Sequence, residues 1–121
     1  MKSIGPQDLY SSADQLLMAA DAEMNRAEED AVTHLICNNS RQSIIQYLQG
    51  FLLEKKVTPD QPITLAGLLE QCATIDSRFR KVDISPIQCR FETLDQDYCL
   101  DMKTVEGCFK IARQTEKLVK H

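Results

Sequence analysis

The chain has 121 residues, 43% of them hydrophobic, enough for one domain spanning residues 1–121 around a single core that buries roughly two-thirds of the unfolded surface. Its 14 basic and 18 acidic side chains leave a net charge of -4 and a pI near 5.1, which excludes the general attraction on which non-specific nucleic-acid binding depends. No run approaches the ~20 consecutive apolar residues of a membrane span, and MKSIGPQDLY lacks a signal peptide's apolar centre, so the expected setting is cytoplasmic.

The first helix is expected to start after Gly5-Pro6. Proline's fixed φ suits a first helical turn, its missing N–H costs nothing there, and Asp8 lies favourably near the positive helix end. Leu9, Ala13, Leu16, Leu17, Ala20 and Met24 form its inner stripe, with Asp14, Asp21 and Glu23 facing solvent. NRAEED follows without a helix breaker, leaving open a short turn or a bent continuation. From Arg26 to Lys56 the chain reads as one long amphipathic helix, with apolar residues at Ala31, Leu35, Ile36, Ile44, Leu48, Phe51 and Leu52. Within it, Asn38, Asn39, Ser40 and Arg41 make a polar interruption, and because asparagine and serine are poor helix interiors this is consistent with a kink, a buried hydrogen-bond network or a ligand-facing patch.

Lys55 and Lys56 suit that helix's negative end, and the two prolines of VTPDQP stop it. Thr64 is positioned to cap a third helix, LAGLLEQCATIDSRFRK, with Leu65, Leu68, Leu69, Cys72, Ile75 and Phe79 inward. Between Val82 and Asp101, Pro86 and scattered aspartates permit either a short helix over Ser85–Phe91 or an ordered loop. The last helix, MKTVEGCFKIARQTEKLVK, turns Met102, Val105, Cys108, Phe109, Ala112 and Leu118 inward. The pattern predicts an all-α, antiparallel up-and-down helical bundle of roughly four or five helices. Ile45, Tyr47 and Leu53 lie outside the long helix's main stripe, and this surplus predicts a homodimer.

Chemical motifs are few. Five cysteines, Cys37, Cys72, Cys89, Cys99 and Cys108, include no CxxC pair and are expected to be reduced, mostly buried thiols. Neither His34 nor His121 has the partners of a metal site, so no metal or cofactor is expected. The acidic group around Tyr98, with Asp95, Asp97 and Asp101, lacks the glycine and glutamate of a calcium loop. All four glycines are isolated, which removes phosphate-binding loops and nucleophile elbows.

The middle of the long helix, SRQSIIQYLQGFLLEKKV, is followed by a proline-containing loop, then ITLAGLLEQCATID and a final amphipathic helix. This order resembles the HEPN superfamily, small helical-bundle proteins found beside nucleotidyltransferases and in toxin systems, and the likeness covers most of the chain. Ribonuclease members of that family carry an arginine and a histidine separated by four to six residues, which together engage a phosphate. Here the arginines preceding His34 and His121 are Arg26 and Arg113, each eight positions away, or about 12 Å of helical rise. The resemblance therefore implies the fold without the catalytic pair.

The candidate ligand-binding residues are Arg41, Arg78, Arg80 and Arg90, whose cations can engage phosphate or an acidic partner, or can simply complement a helix end and stay solvated. No catalytic residue is assigned. Three functions follow: a non-catalytic dimeric interaction module, by resemblance an accessory subunit to a nucleotidyltransferase; a nucleotide- or RNA-binding protein; and a metal-independent ribonuclease with a divergent site drawing on Arg41, Arg78 and His34. The missing motif and acidic balance favour the first over the third.

Overall fold

A computed structural model describes residues 5–25, 33–61, 63–84 and 102–120. These form α1 (Pro6–Met24), α2 (Thr33–Glu54), α3 (Leu65–Ile75), a 3-10 segment (Ser77–Lys81) and α4 (Met102–Val119). No strand occurs among the described residues. The interior is helix against helix, as the 3.6-residue periodicity predicts.

α2 occupies the middle, with α1, α3 and α4 all packed against it. Its Ile36, Ile44, Tyr47, Leu48 and Leu52 are fully buried, each aliphatic side chain contributing about 1.5–3 kcal/mol. At one end Gly50 of α2 meets Leu9 and Tyr10 of α1; at the other, Ala20 of α1 packs with Ile36 and Cys37 of α2. α1 and α2 therefore run in opposite directions. α4 takes the direction of α2, because its Cys108 joins Ile36 and Cys37 while its Glu116 reaches Tyr47.

Local chemistry sets the helix ends. Gly5 is the N-cap of α1, Pro6 occupies the first helical position, and the Asp8 carboxylate accepts the Gly5 N–H at 2.9 Å. α2 closes with a Schellman arrangement: Val57 N–H donates to the Leu52 carbonyl at 2.8 Å and Lys56 N–H to that of Leu53 at 3.0 Å. Lys56 has φ 61°, a conformation that favours glycine, and Val57 packs on the core beyond it. The following loop is held by Gln71, which accepts the Asp60 N–H at 2.9 Å and donates to the Thr58 carbonyl at 3.2 Å. Thr64 caps α3 by accepting the Gly67 N–H at 3.0 Å.

Four expectations need correction. The third helix stops at Ile75 instead of running to Lys81, because Asp76 is extended (φ -137°, ψ 110°) and caps a new 3-10 turn through the Arg78 N–H. Phe79 still reaches the core, with its ring 4.8 Å from that of Phe51, whereas Ile75 is exposed. Tyr47 is fully buried and Ile45 packs on the same core, so only Leu53 of the apolar surplus on α2 stays exposed. Cys37 is disulfide-bonded, while Cys72 and Cys108 are buried thiols. Finally, Leu35 is exposed, although it falls within the predicted α2 stripe.

α2 continues through the polar Asn38–Arg41 interruption, where Ser40 and Ser43 are buried. Ser43 satisfies its hydroxyl within the helix by donating to the Ser40 carbonyl at 2.7 Å, and Thr115 of α4 does the same with Ile111 at 2.8 Å. Among the described residues the hydroxyl of Ser40 has no hydrogen-bond partner. The possible Ser85–Phe91 helix, the Tyr98 acidic group and the Arg26–Ala31 approach to α2 lie outside the described residues.

Candidate functional site: a polar groove across α1, α2 and α4

Spacing on α1 creates one wall of a groove. Gln7, Tyr10, Ser11 and Asp14 recur at intervals of three and four residues and so share one helical face. Glu54 from the end of α2 and Val119 and Lys120 from the end of α4 complete a polar cavity of about 500 Å³. It forms where α1 begins and its two neighbours finish, which brings residues far apart in the chain to one place.

The polar groups are ordered by hydrogen bonds between helices. Tyr10 donates its hydroxyl to Glu54 Oε2 at 2.8 Å, and Tyr47 donates to Asp14 Oδ1 at 2.5 Å, with Glu116 Oε2 at 3.5 Å. Lys120 Nζ lies 2.9 Å from Asp14 Oδ1 and 3.3 Å from Glu116 Oε2. Arg113 extends the chain of charges, 3.5 Å from Glu116 and 3.9 Å from Asp21. The two tyrosine rings are 6.4 Å apart. Asp14, expected to face solvent, is instead the link joining all three helices.

This environment fixes protonation states. Burial, then the hydrogen bond to Glu54 and its charge, hold the Tyr10 phenol well above its ordinary pKa; burial, Asp14 and Glu116 do the same for Tyr47. Lys120 is shifted upward mainly by Asp14, partly offset by burial and reinforced by Glu116. Away from the groove, burial pushes the Cys72 thiol up to about 12. Its Sγ–H points at the Leu48 carbonyl, 3.7 Å away, so the group serves as packing.

The arginines singled out in the sequence do not line this groove. Arg78 places its guanidinium on Asp76, with Nε 3.0 Å and Nη2 2.7 Å from Oδ2, so the pair is charge-neutral and exposed. Asp76 is shifted below the usual carboxylate range by that hydrogen bond, and Arg78 upward. Arg80 is exposed on the same 3-10 turn. Arg41 is half-buried on α2, ten residues before the Phe51 on which that turn rests, about 15 Å of helical rise away. Arg90 and His121 lie outside the described residues; His34 falls in the first turn of α2.

Sequence reasoning missed Tyr10, Asp14, Glu54, Glu116 and Lys120 as a group. The available signal was Tyr10 and Asp14 one turn apart on the flank of the α1 stripe, which periodicity alone assigns to solvent. No group of potential metal ligands occurs among the described residues, and no helix among them is long and apolar enough to cross a membrane.

No protein-family model, curated protein or solved structure matches this chain. The HEPN resemblance accordingly rests on the sequence pattern.

Proposed function

We propose that the chain is a HEPN-like, antiparallel up-and-down bundle that works as a non-catalytic homodimeric interaction module, an accessory subunit to a separately encoded nucleotidyltransferase. The observation that carries this reading is that the charged groups which converge are spent on one another: Asp14 and Glu116 on Lys120, Arg113 on Glu116, and Arg78 on Asp76. The shifts that burial and pairing impose on Tyr10, Tyr47 and Cys72 run away from neutrality, the opposite of what an acid–base catalyst needs. Separation of Arg41 from the Arg78 turn favours the module over a phosphate-cleaving or nucleotide-holding cleft. Association is supported by apolar side chains left in water, Met18 at 70% exposure and Leu35 and Leu53 at about 40%.

The test is incubation of pure protein with structured and unstructured RNA, scored for cleavage and retention, with His34→Ala alongside. The expected result is neither cleavage nor retention at physiological salt. Cleavage abolished in His34→Ala would establish the ribonuclease reading, and salt-sensitive retention without cleavage the RNA-binding one.

A further inference from the structure

Outside those paired groups, one corner of the bundle keeps its positive charge. Lys55 and Lys56 follow the last residue of α2, and Arg78, Arg80 and Lys81 lie on the 3-10 turn, so five of the chain's 14 basic residues fall on two short segments. Packing joins those segments: the Phe51 ring of α2 is 4.8 Å from the Phe79 ring of the turn, Lys55 Nζ stands 5.5 Å from the Phe51 centroid, and the Lys55 charge reaches the Asp76 carboxyl that starts the turn. In a 3-10 helix side chains three positions apart eclipse, which sets Lys81 beside Arg78, while Arg80 takes the other flank of the buried Phe79.

Arg78 is occupied by Asp76, but Lys55, Lys56, Arg80 and Lys81 are exposed and enter no ion pair among the described residues. Counting Glu54, Asp76 and Asp83 as the acids of the same segments leaves five positive charges against three negative, a surplus of two in a chain whose total is -4. Helix-end electrostatics alone does not account for the corner. Lys56 sits at φ 61°, where glycine is the unstrained residue, so the backbone gives no reason for a lysine there. Ile75, left in water at 41% exposure, directly precedes Asp76 and sets an apolar side chain beside the cations.

We propose that this corner is the docking surface for an acidic, amphipathic segment of a partner protein, its carboxylates held by Lys55, Lys56, Arg80 and Lys81 and an aliphatic side chain set against Ile75. The inference rests on the interaction-module reading and names the chemistry of the partner. Two observations favour a peptide over nucleic acid. Phe51 and Phe79 are 6% and 0% exposed, so the corner presents no ring on which a base can stack. Beyond the corner a long polyanion meets the chain's net negative charge, whereas a short segment touches the cations alone. Exposed ion pairs are weak one by one, so binding draws on several cations together and falls with salt.

The probe is a short fluorescein-labelled peptide of repeated Glu-Glu-Leu units, titrated with the full chain and followed by fluorescence anisotropy at low and at physiological salt. Its glutamine-for-glutamate analogue and a labelled single-stranded RNA of equal charge run beside it. The variants are Lys81→Glu, Arg80→Glu/Lys81→Glu and Ile75→Ser. Lys110→Glu on α4 is the control for net charge, two residues from the Cys108 that packs with Ile36 and Cys37 at the other end of α2. All four side chains are exposed, and circular dichroism confirms that each variant folds. If the double reversal unfolds, Arg80→Gln/Lys81→Gln takes its place.

The expected result is saturable, salt-sensitive binding of the acidic peptide, weakened about threefold in Lys81→Glu, about tenfold in Arg80→Glu/Lys81→Glu and about twofold in Ile75→Ser, and unchanged in Lys110→Glu. No saturable binding of the acidic peptide, equal binding of its glutamine analogue, affinity unchanged in the corner variants, or a loss in Lys110→Glu as large as in Lys81→Glu overturns the inference. A failed peptide titration by a chain that still has the mass of a dimer leaves the module reading standing, whereas tighter binding of the RNA than of the peptide overturns both.

Discussion

Gly50→Ala tests how closely α1 lies on α2. A methyl group on Gly50 would sit 2.6 Å from Tyr10 Cε1, 2.9 Å from Cδ1 and 3.3 Å from Leu9 Cβ. Tyr10 is only 6% exposed and its hydroxyl is tied to Glu54, so the ring has little freedom to withdraw. In an unobstructed helix this substitution stabilises by about 1 kcal/mol, because alanine loses less backbone entropy. Overpacking costs about 1–3 kcal/mol, and a ring displaced from Glu54 loses about 1 kcal/mol more. The balance is a net loss of about 1–3 kcal/mol, or a fall in Tm of roughly 4–12 °C for a chain this size. Urea unfolding followed by circular dichroism measures the first and a thermal scan the second. Adding Tyr10→Ala to Gly50→Ala should cost less than the sum of the two single changes, since the obstruction is then gone. A stabilised Gly50→Ala protein would refute the close α1/α2 contact.

Three other outcomes follow from local geometry. Lys56→Gly relieves the positive φ at the end of α2 and should raise stability by about 1 kcal/mol in the same urea assay. Ser40→Ala removes a buried hydroxyl that has no partner among the described residues and installs a better helix former, so it should stabilise by about 1–2 kcal/mol, whereas a loss would reveal a hydrogen bond that the hydroxyl makes. Tyr10 and Tyr47 are shifted upward from an ordinary pKa near 10, so the folded state holds their protons more tightly than the unfolded chain does. Their contribution is intact below about pH 10 and is lost progressively above it, and a Tyr10→Phe/Tyr47→Phe double variant should show a flatter alkaline stability profile.

Much of the architecture was legible because helix ends and stripes are local properties. Gly5-Pro6, Thr64 and the Lys55-Lys56 terminus each act within one turn, and the structure places helix boundaries at all three. The third helix was read too far because Phe79 keeps the apolar spacing set by Cys72 and Ile75, while Asp76 uses its carboxylate to start a new turn. The groove was less visible. Asp14 looks solvated on its own helix and acquires its role only from Tyr47 and Lys120, 33 and 106 positions further along the chain. Cysteine spacing likewise carried no sign that Cys37 is paired. Periodicity shows that Tyr47 is apolar and off the main stripe of α2, but not that α1 and α4 together cover it.

Dimerisation is the point on which the proposed role depends most, since a module of this kind acts through its contacts. Multi-angle light scattering on the pure protein at micromolar concentration tests it directly. The expected mass is twice 13.7 kDa, shifting toward the monomer in a Met18→Glu/Leu35→Glu variant that stays folded. A mass of 13.7 kDa at every accessible concentration would contradict it.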